Sequence, residues 1–248
     1  MSEARVVKFE VLRYRPGEDV EPVTQTYEVS CPEDWRVLDA LNHIKDEIDP
    51  TLSHRWSCRM GVCGSCGMMV NGTPKLTCSA FVRDYGSTIT VAPLANFPIV
   101  RDLVVELDSF VEKLRRVKPW IIRKLEKDLE YGEYLQSPDE LERFRQYSMC
   151  INCTLCYAAC PVLAHDEEFL GPAAIALAHR YNQDSRDSGE AERFEVLAAG
   201  GEGVWSCTYS NECSEVCPKH VDPAQAIQRS KLLSALQWTG LWPRRDTR

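Results

Sequence analysis

Cys58-Arg59-Met60-Gly61-Val62-Cys63-Gly64-Ser65-Cys66, followed after eleven residues by Cys78, decides how this chain is read. A Cys-x4-Cys-x2-Cys loop with one distant cysteine is the spacing of plant-type ferredoxins, in which four thiolates hold a 2Fe-2S cluster. The interleaved glycines fit a backbone that must wrap tightly around a small object. A structural zinc site is the bland alternative, but zinc ribbons pair two Cys-x2-Cys knuckles, and Cys58 is then left over. A Rieske centre needs two histidines in place of two cysteines, and here none is missing.

The pattern around this loop is that of a strand-rich domain. Apolar and polar residues alternate over Val6–Tyr14 and again over Thr24–Val29, with Pro16-Gly17 between them, predicting a hairpin. Asp34 is the expected N-cap of a helix carrying Val37, Leu41, Ile44 and Ile48 on one face and ending near Pro50. Met68–Val70, the Asn71-Gly72 turn and Lys75–Cys78 predict a second hairpin, and Thr88–Val91 a last strand.

Beyond Pro98 the period becomes helical. Leu103, Leu107, Phe110 and Leu114 predict a helix stopped by Pro119. Ser137-Pro138-Asp139-Glu140 is a capping box, while Gly171-Pro172 and Asp222-Pro223 open two more helices, running to about Arg180 and Trp238. The expected fold class is therefore α+β: a plant-type ferredoxin (β-grasp) domain over residues 1–104, then an α-helical, bacterial-ferredoxin-like domain over 105–248.

The second domain carries the other cysteines. Cys150-x2-Cys153-x2-Cys156-x3-Cys160-Pro161 is a bacterial ferredoxin run, in which the fourth cysteine serves the other cluster. Its partner is Cys207-x5-Cys213-x3-Cys217-Pro218, which fits the same template except that Ser210 stands where a cysteine belongs. By the crossover rule Cys150, Cys153, Cys156 and Cys217 hold a 4Fe-4S cluster. Cys160, Cys207 and Cys213 are left for a site with three thiolates, which suits a 3Fe-4S cluster. Ser210 either lines that site or offers its hydroxyl to a fourth iron; soft thiolates are the normal ligands, which favours the first. Cys31 remains over and reads as a packed or partly exposed thiol.

Composition narrows the rest. Twenty-nine Lys and Arg against 37 Asp and Glu give a formal charge of −8, a poor match to nucleic-acid phosphates. No apolar run approaches the length of a membrane span, and no apolar h-region follows Met-Ser-Glu-Ala-Arg, so neither a transmembrane helix nor a secretory signal is expected. The histidines are scattered, with no acid-base or nucleophilic constellation, so substrate chemistry is expected in a partner.

Arg55–Gly67, Leu94-Ala95-Asn96-Phe97-Pro98, Cys150-Ile151-Asn152-Cys153 and Cys217-Pro218-Lys219-His220-Val221-Asp222-Pro223 together resemble the iron-sulfur subunit of succinate dehydrogenase and fumarate reductase. Pro93–Val105 and Tyr181-Asn182-Gln183-Asp184-Ser185-Arg186-Asp187 are similar to the fumarate reductase branch. In that family the usual residue at the position of Ser210 is apolar. The resemblance implies an electron-transfer subunit passing single electrons between FAD in a flavoprotein subunit and quinone at membrane anchor subunits. It places the chain peripherally on the cytoplasmic face of a bacterial inner membrane. It also matches Gln228 and Lys231 to positions that approach the quinone, and an apolar-then-basic tail runs from Leu232 to Arg245 beside a membrane surface or against the chain's own core. The rivals are the iron-sulfur subunit of another flavin-linked oxidoreductase and a zinc-stabilised interaction module.

Overall fold

The computed structural model describes residues 4–124, 130 and 132–240. Two compact units emerge: Met1–Leu107 together with Ile151–Ala159, and Asp108–Cys150 together with Cys160–Arg248.

The first unit is a five-stranded mixed sheet of order β2-β1-β5-β3-β4. Strands β1 (Arg5–Arg13) and β2 (Val23–Cys31) form the expected antiparallel hairpin, with Arg5 opposite Cys31 and Arg13 opposite Val23. Its alternation puts Val7, Phe9 and Val11 inside, where they meet Val29, Val37, Leu41 and Ile44. Each such side chain contributes about 1.5–3 kcal/mol when fully buried, whereas a surface pair such as Lys8–Glu10 contributes about 0–1 kcal/mol. Apolar alternation therefore decides which face turns inward. Cys31 ends in this core, fully buried, its thiol pushed up to about 11 by burial.

Helix α1 (Val37–His43) covers the sheet. Its N-cap is Arg36 rather than Asp34: the Asp39 carboxylate, three residues into the helix, accepts the Arg36 backbone N–H at 2.9 Å. From Ile44 to Ile48 the winding widens to an i→i+5 turn, with Asp49 N–H donating to the Ile44 carbonyl at 2.7 Å. That change of period carries Ile48 off the buried face and leaves it 46% exposed.

Strands β3 (Gly67–Val70) and β4 (Thr73–Leu76) form the second hairpin. Both turn residues, Asn71 and Gly72, have positive φ (47° and 77°), as a two-residue type I′ turn requires. Strand β5 (Thr88–Ala92) runs parallel to β1 and antiparallel to β3, closing the β-grasp arrangement.

The expected helix from Leu103 does not start there. Ile99–Arg101 (β6) and Val104–Val105 (β7) form a small hairpin. At its turn Asp102 takes φ 47°, and its buried carboxylate accepts the backbone N–H groups of Tyr14 (3.1 Å) and Ser53 (2.8 Å) and the Arg13 guanidinium (2.9 Å). These bonds hold the turn against helical winding, so Leu103 joins the sheet core and α2 begins only at Asp108, ending at Arg116.

The second unit is helical. α3 (Pro138–Arg145) starts at the predicted capping box, with Ser137 N–H to Glu140 Oε2 at 2.8 Å and Glu140 N–H to Ser137 Oγ at 3.3 Å. α5 (Pro172–Asn182) is buried along most of its length and packs on α8 (Pro223–Trp238), whose N-cap Asp222 accepts Gln225 N–H at 2.9 Å. A further helix, α6 (Glu190–Leu197), contributes fully buried Arg193, paired with Asp187 at 2.7 Å and donating to the Trp120 carbonyl at 2.7 Å. The Asp184–Asp187 segment singled out in the sequence is thus a structural hub, since Asp184 likewise binds Arg180 and Arg186. Short helices α4 (Leu155–Ala158) and α7 (Glu212–Glu215) carry cysteines of the two ferredoxin runs.

Candidate functional site

In the first unit the loop before β3 surrounds Cys58 with backbone donors. The N–H groups of Cys63, Val62 and Met60 stand 3.3, 3.4 and 3.5 Å from Cys58 Sγ, and Cys58 N–H stands 3.5 Å from Cys63 Sγ. The fan favours thiolate and holds the Cys58 thiol down at about 6. Positive φ at Arg59 (58°), Gly61 (68°) and Gly64 (77°) turns the donors inward. Gly64 has a second reason to be glycine: a Cβ there meets Cys153 Cα at 2.9 Å.

The hairpin register supplies the other two candidate ligands. Gly67 pairs with Leu76, so Cys66 and Cys78 flank the two strand ends, and Thr77 donates to the Cys66 carbonyl through both N–H and Oγ at 3.0 Å. Burial pushes the Cys66 thiol up to about 11. A buried thiol of that kind becomes a thiolate only when a metal compensates the lost solvation. Cys63, by contrast, is exposed, among the exposed side chains of Trp56, Met60 and Val62.

In the second unit Cys160, Cys207 and Cys213 line one small, partly open cavity, and Ser210 lines it with them. Burial raises the Cys160 thiol, and pushes that of Cys213 up to about 12; Tyr209 N–H lies 3.4 Å from Cys207 Sγ. Lys231, on α8, donates from Nζ to the Cys207 carbonyl at 2.7 Å. Gln228, one turn earlier, is half-buried, with its Nε2 lacking a partner among the described residues.

The remaining run is distributed. Cys150 and Cys217 pack against Tyr147, Ala176, Val221 and Ala226 in the second unit. Cys153 and Cys156 lie on Ile151–Ala159, which packs in the first unit, where Asn96 Nδ2 donates to the Tyr157 carbonyl at 2.8 Å and Phe97 stacks on Tyr157. That contact accounts for the Leu94–Pro98 stretch. Among the described residues no three His, Cys, Asp or Glu side chains gather about one point as ligands of a single ion; the thiolates of an iron-sulfur cluster are shared out over its two to four irons and need not converge on one point. Nor, among these residues, do the twelve cysteines form a disulfide.

Two family models match the chain, a 2Fe-2S iron-sulfur cluster binding domain over residues 8–112 and a 4Fe-4S dicluster domain over 146–221. The fumarate reductase iron-sulfur subunit of Mycobacterium tuberculosis is 57% identical over 92% of this chain and 93% of its own length. That of Haemophilus influenzae is 54% identical, over 95% of each. The chain belongs to the iron-sulfur subunit family of fumarate reductase and succinate dehydrogenase. The family's succinate dehydrogenase side is represented by a mitochondrial iron-sulfur subunit of Oryza sativa, 42% identical over 93% of this chain and 76% of the relative. A solved chain of the Mycobacterium smegmatis Sdh1 complex in the apo form superposes with a TM-score of 0.80 at 30% identity, covering 94% of this chain and 97% of that one. As in this family, the fold is α+β with iron-sulfur domains in that order.

Sequence reasoning missed Arg13 and Arg36. Arg13 had a signal: it continues the inward alternation Val7, Phe9, Val11, so a charge sits on a core face. Arg36 had none, because its contacts lie some forty residues away, around Cys78 and Phe81.

Proposed function

We propose that this chain relays single electrons between FAD in a flavoprotein subunit and quinone at membrane anchor subunits of a succinate dehydrogenase or fumarate reductase complex. In this reading residues 1–104 are the 2Fe-2S domain, with Cys58, Cys63, Cys66 and Cys78 as ligands, and 105–248 the dicluster domain. Cys150, Cys153, Cys156 and Cys217 hold the 4Fe-4S cluster, and Cys160, Cys207 and Cys213 the 3Fe-4S cluster. The bound clusters supply one-electron chemistry, and the chain supplies ligands, donors to sulfur and exclusion of water. The complex sits on the cytoplasmic face of a bacterial inner membrane. No helix among the described residues is long and apolar enough to cross it, which leaves anchorage to partners.

The observation that carries the quinone end is the 2.7 Å bond from Lys231 Nζ to the Cys207 carbonyl, which sets the candidate quinone residue on a ligand of the three-thiolate site. An ammonium has three donors, and this bond uses one. Another can meet a quinone oxygen as it gains charge. Exposed Leu232 and Trp238 extend from the same helix, while Leu241, Trp242, Arg244 and Arg245 of the tail lie outside the described residues.

Lys231→Ala in the assembled complex should lower quinone-linked turnover on the order of tenfold to a hundredfold. Flavin-linked activity with an artificial acceptor, and the three-iron EPR signal, should stay near wild type. Both assays on one membrane preparation decide it. Equal loss of the two activities, or no loss, removes Lys231 from the quinone site.

A further inference from the structure

We propose that Arg36 positions the fourth ligand of the 2Fe-2S cluster and acts as its counter-charge, raising its potential. The inference rests on the assignment of Cys58, Cys63, Cys66 and Cys78 to that cluster.

Three observations support it. The Arg36 guanidinium donates from Nη1 to the Cys78 carbonyl at 2.7 Å. The backbone around it is tied to the same segment: Arg36 bridges Phe81, Val37 N–H donates to the Ala80 carbonyl at 2.9 Å, and Leu38 N–H to the Thr77 carbonyl at 3.2 Å. The first turn of α1 thus spends its otherwise unpaired donors on the residues flanking Cys78. Finally, the guanidinium lies over the Phe81 ring, 4.1 Å from its centroid, which limits its movement.

What the guanidinium lacks among the described residues is an opposite charge. Arg36 is half-buried, and among the described residues its buried Nε has no hydrogen-bond partner and no carboxylate pairs with the guanidinium. The nearby Asp39 carboxylate is engaged by the Arg36 backbone N–H instead. A half-buried cation with no opposite charge beside it is costly. Four thiolates and two sulfides outweigh the charge of two irons, so the cluster is net negative, and reduction adds one electron more. Arg36 is therefore better compensated when the cluster is reduced, and the reduced state is favoured by the same amount. Arg83 lies over the same ring at 4.1 Å but is exposed to solvent, where its charge is screened.

EPR-monitored redox titration of the assembled complex tests this. Arg36→Met should shift the one-electron equilibrium of the 2Fe-2S cluster about tenfold toward the oxidised form, a potential lower by about 59 mV. Arg36→Gln, neutral but still a hydrogen-bond donor, should fall with it, which keeps the test available should the Met variant not assemble. Arg36→Lys and Arg83→Met should stay within about threefold of wild type, roughly half that shift on the same scale. Potentials for both neutral variants within twofold of wild type overturn the proposal, as does Arg36→Lys falling as far as Arg36→Met. A 2Fe-2S signal left unaltered by Cys78→Ala refutes instead the ligand assignment beneath it.

Discussion

Ser210→Cys should abolish the three-iron EPR signal of the oxidised protein and add a second four-iron signal on reduction. The change completes the template Cys-x2-Cys-x2-Cys-x3-Cys-Pro from Cys207 to Pro218. Ser210 lines the same cavity as Cys160, Cys207 and Cys213, so the new thiolate enters the ligand shell from a position already facing it. Serine and cysteine have the same number of heavy atoms, so little repacking is needed. What changes is donor softness, and thiolates are the ligands iron-sulfur clusters prefer. The effect is a change of cluster type, read in one spectrum of each oxidation state. Two four-iron signals in the unaltered protein contradict the three-iron reading and give Ser210 a role as an oxygen ligand.

Arg13→Met should cost about 3–5 kcal/mol of stability, because it strands a buried carboxylate. Arg13 is 3% exposed and donates to Asp102 at 2.9 Å, Asp49 and Tyr27 at 2.6 Å, Thr51 at 2.9 Å and Gln25 at 3.0 Å. These partners tie β1 and β2 to the residues leading into the Cys58 loop, since Asp102 also holds Ser53 N–H. The visible absorption of the 2Fe-2S cluster should therefore bleach at a lower temperature than in wild type. Arg13→Met combined with Asp102→Asn removes the stranded charge and should recover part of the loss. Burial opposes the ionisation of Asp49, yet bonds from Thr51, Tyr27 and Arg13 outweigh it and hold the carboxyl well below the usual range. Because the folded value is depressed, this contribution is full above the ordinary carboxylate pKa of about 4 and is lost only as pH falls through the lower folded value. Equal thermal stability of Arg13→Met and wild type rules out this hub as the loop's support.

Both hairpins, the capping box at Ser137 and the N-cap at Asp222 were legible because each depends on residues within a few positions: alternation, Asn-Gly, Ser-x-x-Glu, Asp-Pro. The two iron-sulfur domains were legible because the spacing of their cysteine runs is read along the chain. What could not be read depends on distant partners. The Leu103–Leu107 pattern looks helical, but Arg13 and Tyr14, some ninety residues upstream, capture Asp102 and bend the chain into a hairpin. Ile48 falls off its face because of a local widening that no apolar period records. Arg36 gained its place only once α1 met the strand-ending segment after Cys78.

Metal analysis of the purified, anaerobically handled complex tests the central claim most directly. Two, four and three irons at the cysteine sets given above predict about nine cluster irons per chain, with about ten acid-labile sulfides and almost no zinc. About two irons per chain, or zinc in stoichiometric amount, contradicts the account.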